Sequence, residues 1–153
     1  MNYEVPRIKQ QGRANKDMST PGTDVIGYRF EKSIDNPSRK DELVAAEVKA
    51  VLSKKSFGTI TDAVKDSKKD KFRIATTLDY YRQTLKRFGD NESAKKIARF
   101  QIKSEMPYST KYEAFAITKI EDIDSNTIIE IAGKDLGLDN SQQVYFIHGK
   151  DLM

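Results

Sequence analysis

The chain has 153 residues, 27 Lys and Arg against 23 Asp and Glu, and no Cys or Trp. Missing thiols exclude disulfides, thiolate zinc sites and cysteine nucleophiles, and the single His148 leaves little room for histidine chemistry. At 37% hydrophobic and 33% charged, the composition is lean for a compact globule, and no window of 18 apolar residues could span a membrane.

Residues 1–32 carry six basic and four acidic side chains, and Pro6, Gly12, Pro21, Gly22 and Gly27 punctuate them without a regular period. They read as an extended arm, with Arg7, Ile8, Arg13, Val25 and Ile26 as its candidate partner-binding residues. The second unit, residues 33–106, reads as helical. Ser38–Lys54 has a plausible N-cap in Ser38, acidic Asp41 and Glu42 in the first turn, and an apolar stripe of Val44, Val48, Val51 and Leu52. A short helix is expected near Thr59–Asp66. A longer one follows over Lys71–Phe88, where Ile74, Leu78, Tyr81, Leu85 and Phe88 recur at steps of four and three. Gly89 is placed to end that helix, Asp90 or Asn91 to cap a fourth over Glu92–Ser104, and Pro107 to stop it.

Beyond Pro107 the texture becomes β-like. Tyr112–Ile120 and Thr127–Ala132 read as a hairpin around Asp122, Asp124, Ser125 and Asn126, and Val144–His148 as a third strand. A helix over Asn126–Leu136 is the alternative. The expected fold is therefore α+β: an extended N-terminal arm, three to four helices, and a small C-terminal antiparallel β element over residues 107–153.

No motif names a reaction. Asp122-x-Asp124-x-Asn126 matches the start of a calcium loop, but Thr127 and Gly133 occupy positions that require Gly and Glu. Glu47-x-Lys49 resembles the acid-x-lysine end of many metal-dependent nucleases. That pair belongs on a strand with a preceding Asp, and the helix expected over Ser38–Lys54 argues against it. Ile131–Leu136 is echoed by Ile147–Leu152, which reads as two strands ending in similar glycine turns. Asn126–Ala132, Leu136–Leu138 and Ile147–Leu152 resemble parts of a LysM glycan-binding module. Its leading Gly-Asp and the space for its second helix are missing, so membership is not inferred.

Charge is unevenly spread: residues 64–103 hold twelve basic and five acidic side chains, residues 104–153 four and nine. Lys95, Arg99 and Lys103 repeat every four residues, with Lys96 and Lys86 nearby, an electrostatic footprint suited to phosphates. The leading expectation is a non-enzymatic assembly subunit that binds other protein copies through its arm, in the cytoplasm or within a virion. A phage or mobile-element source would fit the Lys-, Ile- and Asn-rich composition. The alternatives are a nucleic-acid-binding accessory protein and a small inhibitor of a host enzyme. No cofactor, metal or membrane is expected.

Overall fold

The computed structural model describes residues 2–6, 8, 22–51, 58–118 and 136–148. In chain order these form β1 (Val25–Arg29), β2 (Glu42–Val51), α1 (Gly58–Arg87), α2 (Asn91–Arg99), β3 (Ser109–Thr118) and β4 (Gln142–His148). The strands make one sheet in the order β1-β2-β3-β4. β1 and β2 are antiparallel, whereas β3 runs parallel to β2, and β4 parallel to β3. The β2–β3 crossover carries both helices, as a parallel pair requires. The expected fold is thus corrected: two helices stand among the described residues, and the sheet is mixed and four-stranded.

The largest correction concerns the helix expected over Ser38–Lys54: its described residues, 38–51, hold no helix and instead contain β2, in the interior of the sheet. Leu43, Ala45, Glu47 and Lys49 alternate with Val44, Ala46, Val48 and Ala50. Apolar residues on both faces blur the period of two and leave Val44 and Val48 at a helical spacing. The ten-residue register with β3 then outweighs the helix propensity of Ala, Glu and Lys.

The helices expected at Thr59–Asp66 and Lys71–Phe88 are one helix of 30 residues. Its inward positions include Ile60, Ala63, Val64, Ser67, Asp70, Thr77, Leu78, Tyr81 and Leu85. Polar Ser67 and Asp70 hide a stripe that never breaks. Gly89 does end α1, at φ +80°, with Asp90 N–H bonded to Leu85 O and Gly89 N–H to Lys86 O. Asp90 caps α2 by accepting from Ser93 N–H at 3.0 Å, and α2 stops at Arg99 rather than Ser104.

The described N-terminal residues 2–6 and 8 include two that are tied to the fold. Glu4 bridges Tyr28, exchanging two 2.9 Å backbone bonds with β1, and Ile8 is buried in the main core. Val25 and Ile26 belong to β1, while Arg7 and Arg13 lie outside the described residues, as do Thr127–Ala132, the Asp122–Asn126 loop and Ile131–Lys134. The main core joins Ile26, Tyr28, Leu43 and Ala45 to Leu78, Tyr81 and Leu85 of α1 and Ile97 of α2.

One buried ion pair ties the layers together. Arg99 donates from Nε to Asp41 Oδ2 at 3.1 Å, and to the carbonyls of Ser38 (3.1 Å) and Met106 (2.9 Å). Asp41 also accepts from Glu31 and Ser38 N–H, each at 3.0 Å. Both side chains are essentially closed to solvent. Asp41→Ala leaves a buried guanidinium without its partner and should cost about 3–5 kcal/mol, seen as an early urea midpoint. A loss below about 1 kcal/mol would show that the pair is not structural.

Candidate functional site

Two strands and one helix meet at the C-terminal half of β2. Val25 pairs with Ala46, so continuing that antiparallel register sets Asp24 opposite Glu47, on one face. Asp24 Oδ2 accepts from Val48 N–H at 3.1 Å, which anchors its carboxylate to β2. Lys49 follows Glu47 by two residues and so shares its face, the one turned to α1. There Lys49 Nζ lies 3.2 Å from Glu47 Oε1 and 2.7 Å from Asp66 Oδ2 of α1. One helical turn further on, Asp70 is closed to solvent and holds Arg73 through Oδ1 at 2.8 Å.

The approach to Asp24 depends on Gly22. Its φ of +97° suits glycine, and a Cβ there would meet Thr77 Oγ1 at 2.5 Å. Thr23 N–H donates to that same hydroxyl at 3.4 Å. Chain and helix thus approach as closely as a missing side chain allows, directly before the Asp24 carboxylate.

Burial, with the negative charges of Asp24 and Asp70 beside it, pushes the Glu47 carboxyl above its ordinary value. Burial likewise raises Asp70. Hydrogen bonds to Asp66 and Glu47 lift Lys49 to about 12, and bonds from Lys49 and Lys69 lower Asp66 to about 2. Like charges pushed apart in value and a lysine held cationic are typical of a reaction centre, although ion-pair networks do the same.

Among the described residues no three acidic or histidine side chains stand close enough to ligate one ion. Magnesium does not need three: it binds through one or two carboxylates and keeps waters and substrate phosphates as further ligands. Asp24 and Glu47 fit that donor set, and the negative charge of buried Asp70 beside them is met by Arg73 and the Thr23 hydroxyl.

The basic residues singled out from sequence are dispersed. Lys96 is held by Glu4 at 2.8 Å and Glu92 at 3.2 Å. Lys103 lies over the Tyr108 ring and donates to Thr110 at 3.2 Å. Arg99 is buried, so its i+4 spacing to Lys95 and Lys103 does not make a surface stripe. Lys86 and Lys95 are exposed. His148 closes β4, away from β2. Asp24, Asp66 and Asp70 escaped the sequence reading; an Asp just before the β-like Val25–Tyr28 was the available signal for the first.

These features define an α+β protein with a mixed sheet and a carboxylate–lysine cluster on its helix-covered face. The chain belongs to the HamA family, whose family model matches residues 3–153. Comparison with curated proteins and with solved structures gives no match.

The Glu47 charge sets a stability test. Its raised carboxyl means that ionisation costs the folded state stability in full above the folded value. The cost vanishes below the ordinary 4.5, where both states are protonated. Glu47→Gln should therefore melt higher than the native chain near neutral pH, with the gap closing as pH falls below about 4. Thermal denaturation across pH reads this directly, and a Gln variant that melts lower at neutral pH refutes it.

Proposed function

We propose that the chain is a divalent-cation-dependent phosphodiesterase acting on nucleic acid, with Asp24, Glu47 and Lys49 as its reactive groups. The observation that carries this reading is the placement of Glu47-x-Lys49 on a strand with Asp24 across the hairpin. The helix that argued against an acid-x-lysine site is absent. The expected helix was the ground for setting the Glu47-x-Lys49 resemblance aside, and with it gone the cluster has a chemical reading.

In this reading Asp24 and Glu47 hold the cation, and a bound cation polarises a phosphoryl oxygen and acidifies a coordinated water. The remaining work falls to the chain itself. Asp24 is fixed by Val48 N–H, so one carboxylate needs no reorganisation. Lys49, cationic at any physiological pH, offers an ammonium to the negative charge that grows on a phosphoryl group under attack. Burial of Glu47 strengthens both interactions by excluding water. A cytoplasmic or virion-internal location, as expected from composition, would supply nucleic acid. The described residues hold no helix long and apolar enough to cross a membrane.

A protein partner is the second reading, favoured by the sheet face turned away from α1. Val5, Val25, Val44, Ala46, Val48, Phe115 and Ile117 line an apolar cleft of about 340 Å³ there. Phe115 stacks on Tyr145 beside it, and Tyr145 and Ile147 are each 40% exposed. Copies of this chain or another protein could cover that face without touching the carboxylates.

The test is cleavage of labelled duplex and single-stranded DNA and RNA by the purified chain with magnesium or manganese, against a chelator control. Asp24→Asn, Glu47→Gln and Lys49→Ala should each lower the rate by about 100-fold or more. Cleavage that survives chelation, or that Glu47→Gln leaves intact, would remove the proposal.

A further inference from the structure

We propose that Asp66 is a positioning residue for Lys49, sharing its ammonium with the Glu47 carboxylate so that neither acid holds it alone. The inference rests on the phosphodiesterase reading. Lys49 stands two residues from the end of β2, and its side chain remains about one-third exposed. A lysine there has a flexible four-carbon stem and roughly 2 kcal/mol of rotamer entropy to lose, so the strand alone does not place Nζ. Two carboxylates compete for it, and the nearer is Asp66, at 2.7 Å against 3.2 Å for Glu47.

That difference matters for the chemistry. If Glu47 were the sole partner, Lys49 would be drawn across its carboxylate and would neutralise the group needed for the cation. Asp66 supplies a second anchor that takes no part in holding the cation. It is itself secured, because its Oδ1 accepts from Lys69 Nζ at 2.6 Å while Oδ2 takes Lys49. The helix turn that carries Asp66 is pinned next to it by buried Ala63 and Val64, which pack on Ala114 of β3. The strand-to-helix contact thus fixes the lysine through a rigid element, whereas the Asp66–Lys69 contact is an ordinary i,i+3 pair on the surface of α1.

Being partly exposed, the Asp66 ion pairs should add little to folding, so its replacement reports on chemistry. The experiment is steady-state cleavage of a labelled DNA duplex with magnesium, comparing Asp66→Asn, Asp66→Glu and Glu47→Gln with the native chain, with melting followed by circular dichroism. Asp66→Asn should lower kcat by about 10- to 100-fold with KM nearly unchanged, and Asp66→Glu, which keeps the charge, should recover part of it. A merely structural carboxylate would move kcat and melting temperature together and would not separate kcat from KM. Full kcat in Asp66→Asn beside a dead Glu47→Gln overturns this inference and leaves the phosphodiesterase reading standing. Full activity in Glu47→Gln overturns the reading itself. Should Asp66→Asn fail to fold, Asp66→Ser takes its place, and full kcat in that variant overturns the inference in the same way.

Discussion

The Asp41–Arg99 pair joins three segments that the chain keeps far apart: the turn before β2, the end of α2 and the approach to β3. Asp41 O accepts from Ser109 N–H at 3.0 Å, so the residue that holds the guanidinium also starts the β2–β3 ladder. From that point the parallel register runs from Glu42 opposite Ser109 to Val51 opposite Thr118. A slip of one residue would turn every β2 side chain to the other face, sending Glu47 and Lys49 into the apolar cleft and Val48 towards α1. The position of the candidate site thus depends on an ion pair beyond the other end of β2. Arg99 also lies over the rings of Phe100 and Tyr108, which seat it in the aromatic end of the core.

β2 carries both of the chain's surfaces of interest. One face begins with Leu43 and Ala45 in the main core and ends with Glu47 and Lys49 at the helix seam. The other presents Val44, Ala46 and Val48 to an apolar cleft. A central strand can do this because its backbone groups are satisfied on both sides by β1 and β3, leaving each face to its own chemistry. The carboxylate face is kept at a cost in stability. Glu47 is buried beside two other acids, and burial disfavours the charged form of Glu47 and Asp70 alike. Strained electrostatics of this kind are expected where function and stability pull against each other.

What could be read from the residues alone arises within one or two turns of chain. Ile74, Leu78, Tyr81 and Leu85 mark the buried face of α1, though Phe88, assigned to the same face, lies past the helix end and is half exposed; Gly89 marks the end of α1, and Asp90 or Asn91 the start of α2, because helix periodicity and capping are local. The β character of residues 112–118 and 144–148 was legible from their β-branched and aromatic side chains. The absence of cysteine chemistry was plain from composition.

β2 was settled by its pairing across the sheet. Residues 42–51 are mostly Ala, Val, Glu and Lys, which serve a helix or a strand, and the choice falls to hydrogen bonds with β1 and with β3, which follows 57 residues after β2 ends. The candidate site inherits that non-locality. Asp24, Glu47 and Asp66 meet because a hairpin register, a strand alternation and a helix packed on the sheet coincide, and no spacing along the chain encodes all three. Arg99 shows the converse: its i+4 pattern with Lys95 and Lys103 resembled a basic surface, yet the fold turns it inward to Asp41. A side chain's charge can be read from one residue, but whether it meets solvent or a buried partner depends on contacts distant in sequence.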